Sequence, residues 1–272
     1  DAHKGTFGTA LLIAGAGNYP GAVLLAGSAT YRSGAGLVKI AIPEYIYSAI
    51  VGELKEAIWV RLPHRSGWIS EDAIQAIPPA LEGVNALLDG PGLRLETPTA
   101  EFMSKLFALN LPSMVIDADG LKLLAKIPDW YMILHEQVIL TPHPGEMSAL
   151  TGISKDEIQL NRLAVAETYA HKWGKVVVLK GAYTIIADPG GNTAIIPVAT
   201  PALARAGTGD VLAGLIVGLL AQGLTPFHAA CTGAYIHARA GLQAEEEQGN
   251  SRSILAGDLL GMIPRLLSRY QN

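Results

Sequence analysis

Thiols are all but absent from this chain: among 272 residues Cys231 stands alone. That excludes an intramolecular disulfide and a thiolate metal cluster, and it fits a reducing, cytoplasmic compartment. Flanked by Ala229, Ala230, Gly233 and Ala234, the cysteine reads as a small packing residue and not as a nucleophile. Charge is scarce too, at 16% of residues with a formal net charge of -4, and no basic cluster with interleaved aromatics occurs. Nucleic acid is therefore not an expected partner. No run of eighteen or more apolar residues is free of glycine, proline or charge, and Asp1-Ala2-His3-Lys4 is no signal-type opening, so no membrane association is expected. Linkers, repeats and low-complexity segments are missing as well, which makes 1–272 one expected domain. The opening aspartate suggests a processed chain or an excerpt of a longer one.

Half of the residues are apolar, enough to bury a substantial core. Short apolar runs at 9–14, 37–42, 86–88, 113–116, 138–140 and 176–179 read as strands, most of them ending in a glycine-rich or polar turn. Helical patterns at 22–32, 100–109, 159–173, 211–222, 226–240 and 255–267 separate or follow them. Continuous apolar strands alternating with helices predict a three-layer α/β/α sandwich around a mostly parallel sheet. Segments 184–186 and 193–196, joined by Asp188-Pro189-Gly190-Gly191-Asn192, read as a hairpin at the sheet edge. In such a sheet the turns at the carboxyl ends of the strands converge on one ligand crevice.

The most informative stretch is Ala206-Gly207-Thr208-Gly209-Asp210-Val211-Leu212-Ala213-Gly214. Two glycines and an acid directly before an apolar helix describe an anion site, with free first-turn amides and the positive end of the helix dipole facing the ligand. A carboxylate beside a phosphate is repelled unless a proton or a metal intervenes. Asp210 is thus either a base that takes a proton from a hydroxyl attacking phosphorus, or simply the N-cap of its helix.

Other turns carry candidates of their own. Gly15-Ala16-Gly17-Asn18 matches a dinucleotide fingerprint only loosely and reads better as a tight substrate-lining turn. Gly90-Pro91-Gly92 is either such a lining or a plain strand-to-helix turn. In Asp117-Ala118-Asp119, Asp117 can meet a metal-bridged phosphate or a water, whereas Asp119 reads as a structural N-cap. His143, rigid between Pro142 and Pro144, offers an imidazole to a substrate or is a satisfied loop histidine, and no second histidine at ligand spacing suggests zinc. Glu146 serves a magnesium-water network or starts the next helix. Lys180, at the end of a buried strand before Gly181, either meets a nucleotide phosphate or snorkels to the rim. His3, His64, His135, His171, His228, His237 and the run Glu245-Glu246-Glu247 show no chemical partner and read as surface or packing.

Taken in order, HKGTFGTALLIAG, YPGAVLLAG, RSGAGLV, DADGL, LTPHPGEM, VLKGAYT and AGTGDVLAGLIVGLLAQG resemble the ADP/ATP-dependent NAD(P)H-hydrate dehydratases, a ribokinase-like family, over nearly the whole chain. The resemblance implies metabolite repair: the hydroxyl of hydrated NADH or NADPH is phosphorylated from ADP or ATP, with Mg2+ accompanying the nucleotide, and phosphate is then expelled. It implies that Asp210 activates that hydroxyl, with Gly207, Thr208 and Gly209 as the anion hole. Lys180, Gly181, Ala182, Tyr183 and Thr184, with Gly209, would bind the nucleotide. Ala22, Val23, Gly92 and His143, with Asp210, would touch the hydrated dinucleotide. It also implies a homotetramer and, as in many bacteria, an epimerase fused ahead of this domain or acting separately. Two departures from the family pattern stand out: Val23 where a second alanine is usual, and Ala206 where the anion loop usually has another glycine, a change that bears on nucleotide preference. A small-molecule kinase of the same superfamily and a silent nucleotide-binding module are the rival readings.

Overall fold

The computed structural model describes residues 5–270, so His3 and Lys4 of the opening motif lie outside the described residues. The strands are β1 (Thr9–Ile13), β2 (Leu37–Pro43), β3 (Ile58–Leu62), β4 (His64–Arg65), β5 (Trp68–Ile69), β6 (Ala86–Asp89), β7 (Ser113–Ile116), β8 (Val138–Leu140), β9 (Val176–Leu179), β10 (Ile185–Ala187) and β11 (Thr193–Ile195). Among the described residues nine of them form one sheet in the order β11-β10-β9-β8-β7-β6-β1-β2-β3, and β4 pairs with β5 in a separate hairpin. Pairing is parallel from β9 through to β3, while β10 and β11 add antiparallel at the edge. The predicted edge hairpin is therefore present, one residue later at its first strand.

Period-two alternation splits the strand side chains between two cores. Leu11, Ile13, Leu87 and Ile116 pack with Phe102 and Leu106 of the helix Thr97–Phe107 and with Trp173 of the helix Arg162–Trp173. Leu12, Ile40, Leu88 and Val115 pack on the other face, against Val23 and Ala26 of the helix Pro20–Arg32 and Leu212 and Ile216 of the helix Thr208–Ala221. A further layer of contacts joins Val211 and Leu215 to Leu259 and Ile263 of the helix Ala256–Leu267. This is the three-layer sandwich. Among the described residues no helix is long and apolar enough to cross a membrane.

The helices Pro20–Arg32 and Thr208–Ala221 touch backbone to backbone. A Cβ on Gly214 would stand 2.2 Å from the Ala26 carbonyl oxygen, and one on Gly218 2.0 Å from Ser33 Oγ. Thr30 Oγ1 ties the seam by donating to the carbonyls of Ala26 (2.8 Å) and Gly214 (3.1 Å). Gly214→Ala is expected to force this seam apart and cost about 1–3 kcal/mol, several degrees in Tm, read by thermal unfolding.

Candidate active site

The chain runs from β1 outward to β3 in one direction and from β6 outward to β9 in the other, so β1 and β6 flank the point where the topology reverses. Loops leaving the adjacent strands β9, β8, β7, β6 and β1 stand side by side at their carboxyl ends, the expected location of a ligand crevice. They carry in turn Lys180, Thr141 to Glu146, Asp117 to Asp119, Gly90 to Arg94, and Gly15 to Ala22.

Lys180 is not a rim lysine. Its Nζ lies 2.6 Å from Asp117 Oδ1 and 3.7 Å from Glu146 Oε2, with Asp117 and Glu146 almost wholly buried. Thr141 Oγ1 donates a second hydrogen bond to Asp117 Oδ1 at 2.7 Å. Burial alone would lower the Lys180 ammonium, but Asp117, Glu146 and Asp210 outweigh it and raise its pKa, so it stays charged. Glu146 is raised by burial, against the opposing pull of Lys180. His143 caps the helix Pro144–Thr151: its Nδ1 accepts from the amides of Gly145 (2.9 Å) and Glu146 (3.2 Å), and Glu146 Oε2 accepts from the His143 amide at 2.9 Å. Two donors at Nδ1 place the ring proton on Nε2, which lies 3.3 Å from Glu146 Oε1. Burial and the Lys180 charge lower the imidazole pKa and keep the ring neutral.

The helix Thr208–Ala221 starts at Gly207, whose φ of 88° belongs to the left-handed region that glycine tolerates, and no side chain caps it. Asp210 is thus a first-turn residue and not the N-cap, which removes the capping alternative. Among the described residues the amides of Gly209 and Asp210 have no partner within the chain. A Cβ on Gly209 would stand 3.7 Å from Lys180 Nζ and 3.9 Å from Asp117 Oδ2, so this helix end closes directly over the ion pair. Burial, then the Asp117 charge, then Asp119 push the Asp210 carboxyl up to about 7 against the attraction of Lys180. An anion-ready helix start, a buried ammonium and a carboxylate poised near neutrality match what phosphoryl transfer with a resident base requires chemically.

Beside this group lies a cleft of about 670 Å³, lined on one side by Lys180, Gly181, Ala182 and Thr184 and on the other by Thr208 and Gly209, with an apolar back of Ile196, Val198 and Leu212. The predicted nucleotide residues are thus brought together, apart from Tyr183, which is 56% exposed with φ 55° at the tip of the loop. Arg162 braces that loop from behind, donating to the carbonyls of Ala182 and Leu179. Ala22 and Gly92 meet elsewhere: a Cβ on Gly92 would stand 3.2 Å from Ala22 Cβ and 2.9 Å from Tyr19 Cβ, at the β1/β6 switch point. Val23 sends its side chain into the core and leaves only its backbone for a ligand.

The structure departs from several sequence expectations. Asp119 is no N-cap, because Asp117 holds that position; its Oδ2 accepts the Arg94 amide and its Oδ1 the Lys122 ammonium, both at 2.9 Å. His237 has a partner: it is buried under the anion loop with Nε2 donating to the Thr208 carbonyl at 2.8 Å, and burial lowers it to about 4, so it is neutral. His135 Nε2 reaches the Pro112 carbonyl at 3.0 Å. Glu245 accepts from Thr200 Oγ1 and Glu247 pairs with Arg265 at 2.6 Å. Arg94 and Asp89 belong to no motif in the sequence. The first is betrayed only by its backbone, and the second by burial that no sequence pattern reports.

The donor set suits magnesium only in part. Among the described residues no group of three His, Cys, Asp or Glu side chains could hold a metal ion, so an all-protein cage is not formed. Asp117 fits a more limited task, since its Oδ1 is taken by Lys180 and Thr141 while Oδ2 has no hydrogen bond within the described residues and faces Gly209. That suits a magnesium ion carried mainly on nucleotide phosphates and water. Glu146 fits less well, because the His143 amide and ring and the Lys180 ammonium already occupy both oxygens. It holds the first-turn position of its helix.

Comparison with solved structures agrees with this geometry. A ribokinase-like superfamily protein of Enterococcus faecalis superposes with a TM-score of 0.85 over 99% of this chain and 90% of that one, and at 24% identity it defines the fold class as ribokinase-like. The sequence profile of the NAD(P)H-hydrate dehydratases matches residues 10–265, and the chain belongs to that family. It is 37% identical over 272 residues to the ADP-dependent (S)-NAD(P)H-hydrate dehydratase of Bacillus subtilis, covering 100% of this chain and 93% of that enzyme. A crystal structure of the Bacillus subtilis ADP/ATP-dependent enzyme, co-crystallised with ATP and Mg2+, superposes with a TM-score of 0.84 at 35% identity, covering 100% of this chain and 92% of the other. A bifunctional NAD(P)H-hydrate repair enzyme of Moorella thermoacetica is 40% identical over 270 residues, 99% of this chain and 51% of the relative. The chain thus spans about half the length of the bifunctional relatives it matches.

Proposed function

We propose that this chain uses ADP or ATP to dehydrate the S form of hydrated NADH or NADPH. The observation that carries the reading is Asp210: a carboxylate held near pKa 7 in the first turn of a helix whose Gly209 and Asp210 amides are unspent, directly over Lys180. In this reading the hydrate hydroxyl attacks the terminal phosphorus, its proton passes to Asp210, and the bond from phosphorus to the nucleotide breaks. The loop of Gly207, Thr208 and Gly209 takes up the negative charge on the transferring oxygens. The phosphorylated oxygen then departs as phosphate with the electrons of its C–O bond while the neighbouring ring carbon loses a proton, restoring the dihydronicotinamide. Water has in effect left as part of phosphate, and the nucleotide is one phosphoryl group shorter.

Lys180, Gly181, Ala182 and Thr184 would hold the nucleotide in the 670 Å³ cleft, with Tyr183 joining from the exposed loop tip, and Ala22, Val23, Gly92 and His143 would hold the hydrate. Asp117, through Oδ2, would face the magnesium ion that the nucleotide carries, and that ion would supply charge neutralisation between the phosphates. His237 acts as a positioning residue by fixing the Thr208 carbonyl. The proposal includes a homotetramer, to be read by light scattering, a cytoplasmic setting, and an epimerase acting upstream as a fused or separate partner.

The deciding experiment incubates the protein with ADP or ATP and chemically hydrated NADH. Recovery of reduced-nicotinamide absorbance, with one phosphate released per turnover, is the expected result. Accumulation of a stable phosphorylated product would instead make the chain a small-molecule kinase, and absence of any turnover a silent binding module.

A further inference from the structure

Arg94 follows the Gly90-Pro91-Gly92-Leu93 turn with a φ of 70°, a backbone conformation that costs a non-glycine residue about 1 kcal/mol or more. Asp119 holds it there by accepting the Arg94 amide at 2.9 Å. The strain presents the guanidinium to two aromatic rings at once, 5.5 Å from the centroid of Tyr19 and 5.8 Å from that of Trp68, the latter supplied by the β4–β5 hairpin. Stacking fixes a guanidinium without using its N–H donors. Those donors are barely used: Nη1 reaches Tyr19 Oη at 3.4 Å, Nε is buried without a partner, and the nearest carboxylate, Glu96, lies 4.0 Å away with both side chains about two-fifths exposed.

A rigid fork of N–H donors with most of its hydrogen-bonding capacity unspent among the described residues suits an oxyanion. Its place says which anion. Tyr19 is the N-cap of the helix Pro20–Arg32, whose start has no side-chain cap and no acid in its first turn, and Tyr19 touches the position where Gly92 and Ala22 meet. This is the β1/β6 switch point. The second oxygen of Asp119 is on Lys122, so within the loop only the half-exposed Glu96, 4.0 Å from the guanidinium, faces Arg94.

We propose that the Tyr19–Trp68–Arg94 shelf grips a phosphate of the hydrated dinucleotide, and that Arg94 is the residue setting affinity for that end of the substrate. The inference rests on the function proposed above. Two phosphate sources share this chemistry: the pyrophosphate common to both hydrates, and the ribose 2′-phosphate of the NADPH hydrate alone.

Arg94→Gly is the matched variant, because glycine suits the left-handed backbone and its Tm is expected at or above that of the parent. Steady-state kinetics on the S hydrates of NADH and NADPH should show the loss in KM and not in kcat, by about 10- to 100-fold. A rise on both hydrates assigns the shelf to the pyrophosphate, and a rise on the NADPH hydrate alone assigns it to the 2′-phosphate. Calorimetric titration with NADPH and NADH, which needs no turnover, should give the same ratios in Kd. Unchanged KM and Kd for both ligands would overturn the role of Arg94. A parent protein that turns over neither hydrate would overturn the proposed function, and the titration would still judge the shelf.

Discussion

Asp210→Asn is expected to slow hydrate dehydration by about 10²- to 10⁴-fold while leaving adenine nucleotide affinity within a few-fold of the parent. The amide occupies the same space and keeps the helix start, which Gly207 and not Asp210 sets; what it cannot do is accept the proton. Because Asp210 is pushed up to about 7, first by burial and then by Asp117, the base is half protonated at neutral pH. Activity in the parent should therefore rise with pH through about 7 and fall tenfold per unit on the acid side, with the limb absent from the residual activity of the Asn variant. Steady-state rates across pH 5 to about 9, paired with ADP titrations, check both statements. A variant that keeps full turnover, or a parent with a flat profile through neutrality, would remove Asp210 from the chemistry.

Asp89→Val is expected to stabilise the protein by roughly 3–5 kcal/mol at neutral pH. Asp89 is the last residue of β6, paired with Ile13 and Ile116, and the alternation that buries Leu87 among the Phe102 side of the core sends the Asp89 side chain to the same face. It is 0% exposed, and neither carboxyl oxygen has a hydrogen-bond partner within the described residues. Burial raises its pKa well above the carboxylate range, so the folded state keeps a proton that the unfolded chain has lost. Below the unfolded pKa, about 4, both states hold the proton and its contribution is fully present; as pH rises toward the folded pKa, stability falls by up to about 1.4 kcal/mol per unit. Denaturant unfolding of the parent, Asp89→Asn and Asp89→Val at pH 4 to about 8 should show this slope in the parent and its loss in both variants, with Val the most stable. A Val variant less stable than the parent would mean that the carboxyl is held by a contact the alternation argument does not include.

Asp89 also shows where sequence reading stops. The strands β1, β2 and β6 to β9 were legible because parallel strands covered on both faces are apolar throughout, and their loops were legible because glycine and proline punctuate them. Aspartate is a turn former, so the apolar run 86–88 reads as ending before Asp89; the backbone instead carries it as strand, with the Asp117 amide donating to its carbonyl at 3.0 Å. The edge strand β3 escaped notice because Ile58-Trp59-Val60-Arg61-Leu62 is half exposed and interrupted by charge. The expected helix over 159–173 is two helices, Lys155–Leu160 and Arg162–Trp173, broken where Asn161 leaves helical geometry at φ -127°. The helix from Pro226 runs past its expected end at 240 to Gln248, because the acidic run forms its last turns, with Glu245 and Glu247 tied to neighbouring elements.

At the site, residue types and spacings pointed to Asp210, Lys180 and the anion loop before any geometry was known, since an acid after two glycines and a lysine after a buried strand each need an explanation. Long-range pairing gave no such hint. That Lys180 meets Asp117 across two loops, that His237 bonds the carbonyl of Thr208, and that Arg94 lies over Trp68 are products of tertiary placement.

The glycine seam between the helices Pro20–Arg32 and Thr208–Ala221 bears on how two co-substrates could be held in register. Both helices begin at the crevice, one at Tyr19 and the other at Gly207, and their main chains are locked together only a few residues further on. Neither start can slide past the other without opening that contact. In the proposed reaction the gap between alcohol and phosphorus would consequently be set when the polypeptide folds, and reactants would come and go through the loops around it while the two helix ends stand still.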